Sequence, residues 1–127
     1  MFKPKGAFSG FSVNDLAKAK QFYGETLGLK VNTEGIGLRL HLPGAGTAFA
    51  YPKDDHQPAT FTILNFAIDN IDEAVDELKS RGVSFERYEG APQDERCIMR
   101  KYGPPIAWFK DPAGNILSVI EDSDENT

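Results

Sequence analysis

The chain has little cysteine, few histidines and no long apolar run, and each shortage narrows what the protein can be. Its one cysteine, Cys97, excludes an intrachain disulfide and a Cys-x-x-Cys metal site and favours a reducing, cytoplasmic location. No stretch approaches the ~18 apolar residues of a membrane span, so we expect no membrane association. A net charge of −5 without a run of Lys or Arg argues against nucleic-acid binding, because phosphates are bound by basic clusters.

What the chain does contain is one pattern written twice. In the first copy, alternating apolar residues end at Asp15 and a helical apolar pattern then runs to Gly28. In the second copy, the alternation ends at Asn70 and the helical pattern runs to Gly82. Asp and Asn cap helix N-termini and glycine ends helices. The sequence therefore predicts helices over 15–27 and 71–81.

The remaining segments predict the order strand–helix–strand–strand–strand, again written twice. We expect two modules, at about 5–53 and 59–122, in a single domain of residues 1–127 with a flexible acidic tail at 122–127. A turn is predicted at 111–115, where Asp-Pro-Ala-Gly-Asn supplies turn residues. The predicted strands are 6–13, 29–34, 37–42, 47–52, 60–68, 83–87, 106–110 and 116–121, with a short extra strand around 98–101.

Three motifs, in this order and spacing, closely resemble the glyoxalase/bleomycin-resistance superfamily, whose members are also called vicinal oxygen chelate proteins. They are Phe11-Ser-Val-x-Asp-Leu with the following Phe-Tyr and Leu-Gly-Leu, Ile71-Asp-Glu-Ala with the following Gly-Val, and Phe109-x-Asp-Pro-x-Gly-Asn. The resemblance covers about residues 7–121. It implies an α+β fold of two tandem βαβββ modules that form a cupped mixed sheet, usually in a homodimer.

Metal-dependent members of this superfamily carry ligands on the first and last strands of each module. The resemblance carries those positions to Phe8 and Ala50 in the first module and to Ile63 and Ser118 in the second. Divalent metals need imidazole or carboxylate donors, which none of the four residues supplies. We therefore expect no metal and no other cofactor, and we assign no catalytic residue.

A relocated metal is the alternative that the donors in this chain leave open. Two histidines and a carboxylate, His41, His56 and Glu95, satisfy a two-His-one-carboxylate site on paper. They lie in different segments, and His56 stands in a polar linker that is typical of solvent-exposed chain.

Six residues are candidate ligand contacts. Arg39 and His41 alternate with Leu38, Leu40 and Leu42 on one predicted strand, so they face either the cup or solvent. Arginine can pair with an anion, and histidine can change charge near neutral pH.

Asn65 and Ser118 are linked to the former ligand positions and are expected to face the cup, with Ser118 and Ser12 as possible hydrogen-bond partners of Asn65. One member of the pair Trp108 and Phe109 is expected to reach the cup and the other to pack under the helix. Arg100 is a candidate only because it lies in the long connection 88–105, and long connections often form binding loops.

Three functions stay open at this point. The first is a metal-free small-molecule binding protein of the bleomycin-resistance type, which needs only a cavity with aromatic walls and a few polar anchors. The second is an enzyme, such as a lyase, isomerase or oxygenase, with a relocated metal or with acid–base chemistry at His41. The third is an interaction module in which Phe8 and Ile63 fill the old site.

Overall fold

The computed structural model describes residues 1–44 and 46–122. The chain divides into two compact units, Met1–Pro58 and Ala59–Thr127, and each unit has a mixed β-sheet and a helical segment. The predicted α+β fold class is confirmed. The assignment of both modules, 5–53 and 59–122, to one domain stays a prediction. Across the two described ranges, no helix has the length and apolar character that crossing a bilayer would need.

The first unit contains a four-stranded sheet in the order β1-β4-β3-β2, in which β1 runs parallel to β4 and the other pairs are antiparallel. Two helical segments follow β1 along the chain. The elements are β1 (Ser9–Val13), α1 (Leu16–Gln21), a π-helical turn (Phe22–Thr26), β2 (Lys30–Glu34), β3 (Gly37–His41) and β4 (Thr47–Pro52).

The first helical segment begins and ends where the sequence predicts, but its second half is wound differently. The Asp15 side chain accepts the backbone N–H of Lys18 at 3.0 Å, which caps the segment. From Phe22 onward the helix is π-helical, with the Leu27 N–H donating to the Phe22 carbonyl at 2.9 Å. The sequence holds no signal for this wider turn, and π-helical turns occur often at functional sites.

The second unit contains a three-stranded sheet in the order β5-β7-β6, in which β5 is parallel and β6 antiparallel to β7. The elements are β5 (Thr62–Ile68), α2 (Ile71–Ser80), β6 (Ile106–Lys110) and β7 (Ile116–Glu121). The Asn70 side chain caps α2 by accepting the Glu73 N–H at 3.0 Å. Gly82, with φ of 90°, lies just beyond the end of α2, as the repeated pattern predicts.

The connection between α2 and β6 is less regular than predicted. The sequence predicts strands at 83–87 and around 98–101, and both predictions are wrong, because only isolated bridges form there. The bridges join Phe85 to Phe109, Gln93 to Met99, and Met99 to Ile106.

One side chain organises the backbone of this connection. Gln93 Oε1 accepts the Tyr88 N–H at 2.7 Å, and its Nε2 donates to the carbonyls of Glu86 and Cys97 at 2.9 and 2.8 Å. Backbone polar groups need partners wherever they are buried. Gln93 supplies three such partners from inside the connection, while the N–H groups of Glu86 and Met99 still donate to the β6 carbonyls of Trp108 and Ile106.

The turn at 111–115 forms as predicted and is held by Asp111. This residue is 5% exposed, and its Oδ1 accepts the N–H groups of Ala113 and Asn115, both at 2.9 Å. Its Oδ2 accepts from Asn115 Nδ2 at 3.0 Å. The predicted acidic tail lies outside the described residues from position 123 onward, whereas Asp122 donates its N–H to the Ile68 carbonyl at 2.9 Å.

Candidate functional site

Each sheet has one face packed under its helical segment and one face that the helix does not cover. In the first unit the helix face carries buried apolar side chains, and the other, which we call the first open face, carries partly exposed polar and aromatic ones. The register places the following residues on the first open face: Ser12 of β1, Arg39 and His41 of β3, and Thr47, Phe49 and Tyr51 of β4.

Arg39 is the centre of the first open face. Its Nη2 and Nε donate to the two carboxylate oxygens of Glu34 at 2.8 and 3.2 Å, and its Nη1 donates to Thr47 Oγ1 at 3.4 Å. The guanidinium lies 4.4 Å from the centroid of the Phe8 ring and 5.1 Å from that of Phe49. A guanidinium held by a bidentate carboxylate and two aromatic rings is fixed in position.

Glu34 was not among the residues that the sequence singled out. It lies diagonally across the β2–β3 hairpin, because β3 pairs Arg39 with Asn32 and diagonal side chains in antiparallel strands can meet. The hydrogen bond from Arg39 lowers the pKa of Glu34, an effect larger than the opposing one of desolvation. The same bond raises the pKa of Arg39. The pair is therefore charged throughout the neutral range.

His41 and His56 have different surroundings within the first unit. His41 lies beside Thr47 on the first open face, and its Nε2 is buried without a hydrogen-bond partner. His56 is held in place by Ser12, whose Oγ lies 2.6 Å from His56 Nδ1. The pairing shows that the linker histidine is not simply solvent-exposed, and it also gives Ser12 a partner other than Asn65.

The second sheet also has a face that its helix does not cover, which we call the second open face. It carries Asn65, Ser118 and Trp108, which occupy adjacent positions across β5, β7 and β6. Ser118 is completely buried, and its Oγ donates to Asn65 Oδ1 at 2.5 Å. This hydrogen bond is the one predicted between them. Asn65 itself is exposed, so its amide can still reach a ligand.

Trp108 forms an aromatic corner on the second open face. Its Nε1 donates to Thr62 Oγ1 at 3.2 Å, and its ring meets Tyr88 edge-on with centroids 5.6 Å apart. The Tyr88 hydroxyl is buried without a partner, and burial raises its pKa. Phe109 is fully buried and packs on Phe85. Trp108 is therefore the member of the pair on the open face.

Arg100 does not join this group. Its Nη2 donates to Asp72 of α2 at 2.9 Å and its Nε to Asp94 at 3.2 Å. Arg96 also bonds Asp72, at 2.6 Å, and pairs with Asp76. These contacts fasten the connection to the start of α2, which packs on the other face of the sheet, away from Trp108.

Asp94 organises the connection itself. Partial burial raises the pKa of its carboxyl, but the backbone N–H groups of Ile98 and Arg96 and the Arg100 side chain outweigh burial and hold that pKa below its usual value. A groove of about 460 Å³ lies along this segment and includes Arg100 among its walls.

The structure corrects one of the four former ligand positions. Ala50 pairs with Leu38 and is fully buried on the helix face, so it is not the counterpart of Ser118. The register makes Phe49 that counterpart, since Phe49 pairs with Arg39 as Ser118 pairs with Trp108. The alternation of a strand turns each successive side chain to the opposite face, which is why an error of one residue matters.

The second module contains a different irregularity. The pairing of β5 with β7 shifts between Thr62 and Leu64, which leaves Ile63 as the extra residue of a β-bulge. Thr62 thereby comes opposite Ile116, where it meets the Trp108 indole. Bulges re-aim side chains, and no feature of the sequence marks this one.

The residues at the family's metal positions do not fit a divalent ion. Phe8, Phe49 and Ile63 have no donor atom, and the Ser118 hydroxyl is bonded to Asn65. Within residues 1–44 and 46–122, no three His, Cys, Asp or Glu side chains come together in a way that could hold a metal. Transition metals in proteins are held by imidazole, thiolate or carboxylate groups, and the side chains at these four positions supply none of them.

Comparison with known proteins gives one family and many related folds. The model of the Glyoxalase/Bleomycin resistance protein/Dioxygenase superfamily matches residues 9–119. No curated protein matches the chain.

Among solved structures, a member of the same superfamily from Sphaerobacter thermophilus is 27% identical, with a TM-score of 0.70 over 91% of this chain and 94% of that one. An antibiotic binding protein from a Streptomyces species is 24% identical, with a TM-score of 0.69 over 97% and 99% of the two chains. The fosfomycin resistance protein FosX from Listeria monocytogenes is 17% identical, with a TM-score of 0.71 over 98% of each chain.

Proposed function

The chain belongs to the glyoxalase/bleomycin resistance protein/dioxygenase superfamily, and from that premise we propose that it is a small-molecule binding protein that does not use the family's metal site. One observation carries the proposal. The positions from which metal-dependent members hold their ion are occupied by Phe8, Phe49 and Ile63, and by a serine that bonds Asn65. Apolar and aromatic groups in place of donors favour binding without metal chemistry.

The composition of the two open faces is a second argument for the same proposal. Each sheet presents aromatic rings next to a few polar anchors, with Phe8 and Phe49 around Arg39 in the first unit and Trp108 beside Tyr88 in the second. Binding sites for small molecules combine these two kinds of surface. Two of the solved relatives are an antibiotic binding protein and a fosfomycin resistance protein, which makes antibiotics a sensible first class of compound to test.

We propose His41 as a ligand contact on the first open face and Asn65 and Trp108 as ligand contacts on the second, with Arg39 and Ser118 in supporting roles beside them. Asn65 keeps an exposed amide that a ligand can reach, and His41 keeps an unpaired but buried Nε2 that a ligand could satisfy once the imidazole turns outward. Ser118 acts by orienting Asn65. Arg100 could contribute only if its bonds to Asp72 and Asp94 opened.

A thermal-shift screen of antibiotics and other planar compounds tests the proposal, using protein purified without a histidine tag. A true ligand should raise the melting temperature by several degrees at concentrations well above Kd, with or without a chelator. A ligand of the first open face should bind His41→Ala about tenfold more weakly or worse, and a ligand of the second open face should do the same with Trp108→Leu. Tyr102→Leu, which removes an exposed loop aromatic, should weaken neither. A stoichiometric metal whose removal abolishes binding would contradict the proposal.

An enzyme is the second candidate, and the observation that favours it is the unpartnered Nε2 of His41. A buried imidazole nitrogen without a partner can accept a proton from a bound substrate. Mass spectrometry of each screening hit after incubation with the protein would detect turnover. Conversion that is lost in His41→Ala would establish the enzyme, and unchanged compound would support binding alone.

The proposal includes a homodimer in a cytoplasmic setting. Edge strands such as β1 and β5 expose unpaired backbone groups that another chain can cover. Sedimentation at micromolar concentration should therefore show twice the 14.0 kDa mass of the chain. A single species at the monomer mass would contradict the dimer.

A further inference from the structure

The charge that the first open face offers to a ligand is not the charge of Arg39. All three guanidinium nitrogens of Arg39 donate to Glu34 or Thr47, and Phe8 and Phe49 lie along the guanidinium. Its side chain is only 17% exposed. An incoming anion would have to break a bidentate contact with a carboxylate that is already in place.

Glu34 and Phe8 are more open to solvent than Arg39. The Glu34 side chain is 54% exposed and Phe8 is 61% exposed. Arg39 covers one side of the Phe8 ring, so the exposed area includes the opposite side. The accessible features of this face are therefore a carboxylate and an aromatic surface.

We propose that Glu34 sets the charge preference of the first open face, so that it takes planar organic cations and excludes planar anions. The inference rests on the proposed binding function and adds the ligand class. A planar cation can stack on the outer side of Phe8 while its charge is attracted to Glu34. A planar anion meets the more exposed Glu34 carboxylate first, whereas Arg39 is mostly covered and already donates from all three guanidinium nitrogens.

Three pyrene probes with the same ring and the same methylene linker provide the test: aminomethylpyrene as the cation, hydroxymethylpyrene as the neutral compound and pyreneacetate as the anion. Their affinities are measured by fluorescence titration against the full chain at neutral pH and low salt. The wild-type protein should bind the cation most tightly, the neutral compound less tightly and the anion least.

Glu34→Gln removes the carboxylate charge and keeps the side-chain size. It should weaken the cation and strengthen the anion by roughly five- to tenfold each, the scale of one unscreened surface charge. Glu34→Asp keeps the charge and should retain the preference for the cation. Phe8→Leu removes the ring and should weaken all three probes.

Glu25→Gln is the matched control, because Glu25 is an exposed carboxylate on the π-helical turn of the same unit. It changes the net charge of the chain by the same amount but should leave the ranking of the three probes unchanged. If it shifts the ranking as Glu34→Gln does, net charge is responsible and the inference is overturned.

The remaining outcomes separate this inference from the proposed function. Binding of the probes with no charge preference, or with a preference that Glu34→Gln leaves intact, overturns the role of Glu34 while small-molecule binding stands. Binding of none of the three probes overturns the inference, and the antibiotic screen then decides the proposed function by itself.

Discussion

The two units can be compared position by position, because their strands pair in the same register. In each unit the first, the last and the next-to-last strands bring three open-face positions side by side. They are Gly10, Phe49 and Arg39 in the first unit and Asn65, Ser118 and Trp108 in the second. The backbone arrangement is shared, whereas every side chain differs in size or charge. A repeated supersecondary unit therefore fixes where side chains stand and leaves their chemistry open.

Side-chain volumes at neighbouring open-face positions compensate each other within each unit. The first unit places glycine at 37 beside Phe49, and a Cβ added to Gly37 would lie 2.4 Å from the Ala50 carbonyl oxygen and 2.7 Å from the Phe49 ring. The second unit has Ile106 at the equivalent position, near the small Ser118. Close packing requires such exchanges, because an interior tolerates neither a void nor an overlap.

The largest expected effect on stability comes from giving position 37 of the first unit a side chain, as the second unit has at its equivalent position. Gly37→Ala should lower the free energy of unfolding by about 3 kcal/mol, since the clash involves backbone as well as a ring. Urea denaturation would measure it. Gly46→Ala is the control, because nothing lies within 4 Å of its added Cβ. Equal stabilities of the two variants would show that the strands can shift to make room.

A smaller effect is expected at the turns, which also differ between the units. The same backbone bond closes both, Leu42 N–H to the Gly46 carbonyl and Asp111 N–H to the Asn115 carbonyl, but only the second has a buried carboxylate inside. Asp111→Ala should cost about 2 kcal/mol, because it leaves buried N–H groups unpaired. Asp55→Ala, at an exposed carboxylate, should change the urea midpoint little. A similar midpoint for both variants would mean that water replaces the Asp111 contacts.

A still smaller effect is expected at Ser118, the small residue near Ile106 in the second unit. Ser118→Ala should cost about 1 kcal/mol, since it removes one hydrogen bond but leaves Asn65 free to bond water. Thermal unfolding would measure the change against Ser84→Ala, an exposed serine in the same unit. A loss of several kcal/mol would indicate that the serine belongs to a larger buried network than the structure shows.

The smallest effect is the pH dependence of the Glu34–Arg39 pair, which has no equivalent in the second unit. Because the folded-state pKa of Glu34 is lowered from its ordinary value of 4.5, the pair stabilises the fold above that value and the contribution is lost as the pH falls through the folded pKa. Carboxyl NMR should place the Glu34 midpoint below 4.5. Arg39→Gln should move it upward, and an unchanged midpoint would contradict the pairing.

The elements that the sequence predicts well are those with a local cause. Asp15 and Asn70 cap their helices as expected, and the turn at 111–115 forms around its aspartate. Each depends on side chains within a few residues of the backbone they satisfy. The strands predicted at 83–87 and 98–101 form only single bridges, at Phe85 and Met99. The Gln93 side chain bonds the backbone of the connection that joins them, and no local pattern in the sequence marks that role.

The candidate site is harder to read from sequence because its decisive contacts are not local. Alternation places Arg39 and His41 on one face, but it says nothing of Glu34 as the partner of Arg39 or of Thr62 as the partner of Trp108. The assignment of Ala50 fails by a single residue, and one residue is enough to move a side chain through the sheet.

By itself, then, the amino-acid sequence determines the two capped helices, most of the strands, the superfamily and the lack of metal donors at Phe8, Ile63 and Ser118, since these follow from caps, periodicity and residue type. The tertiary structure alone decides which side chains meet: it neutralises Arg39 with Glu34, joins Ser12 to His56 and turns Ala50 away from the open face. The physical reason is that pairing register and cross-strand contacts depend on segments far apart in the chain, and their free energies exist only once the sheet has formed.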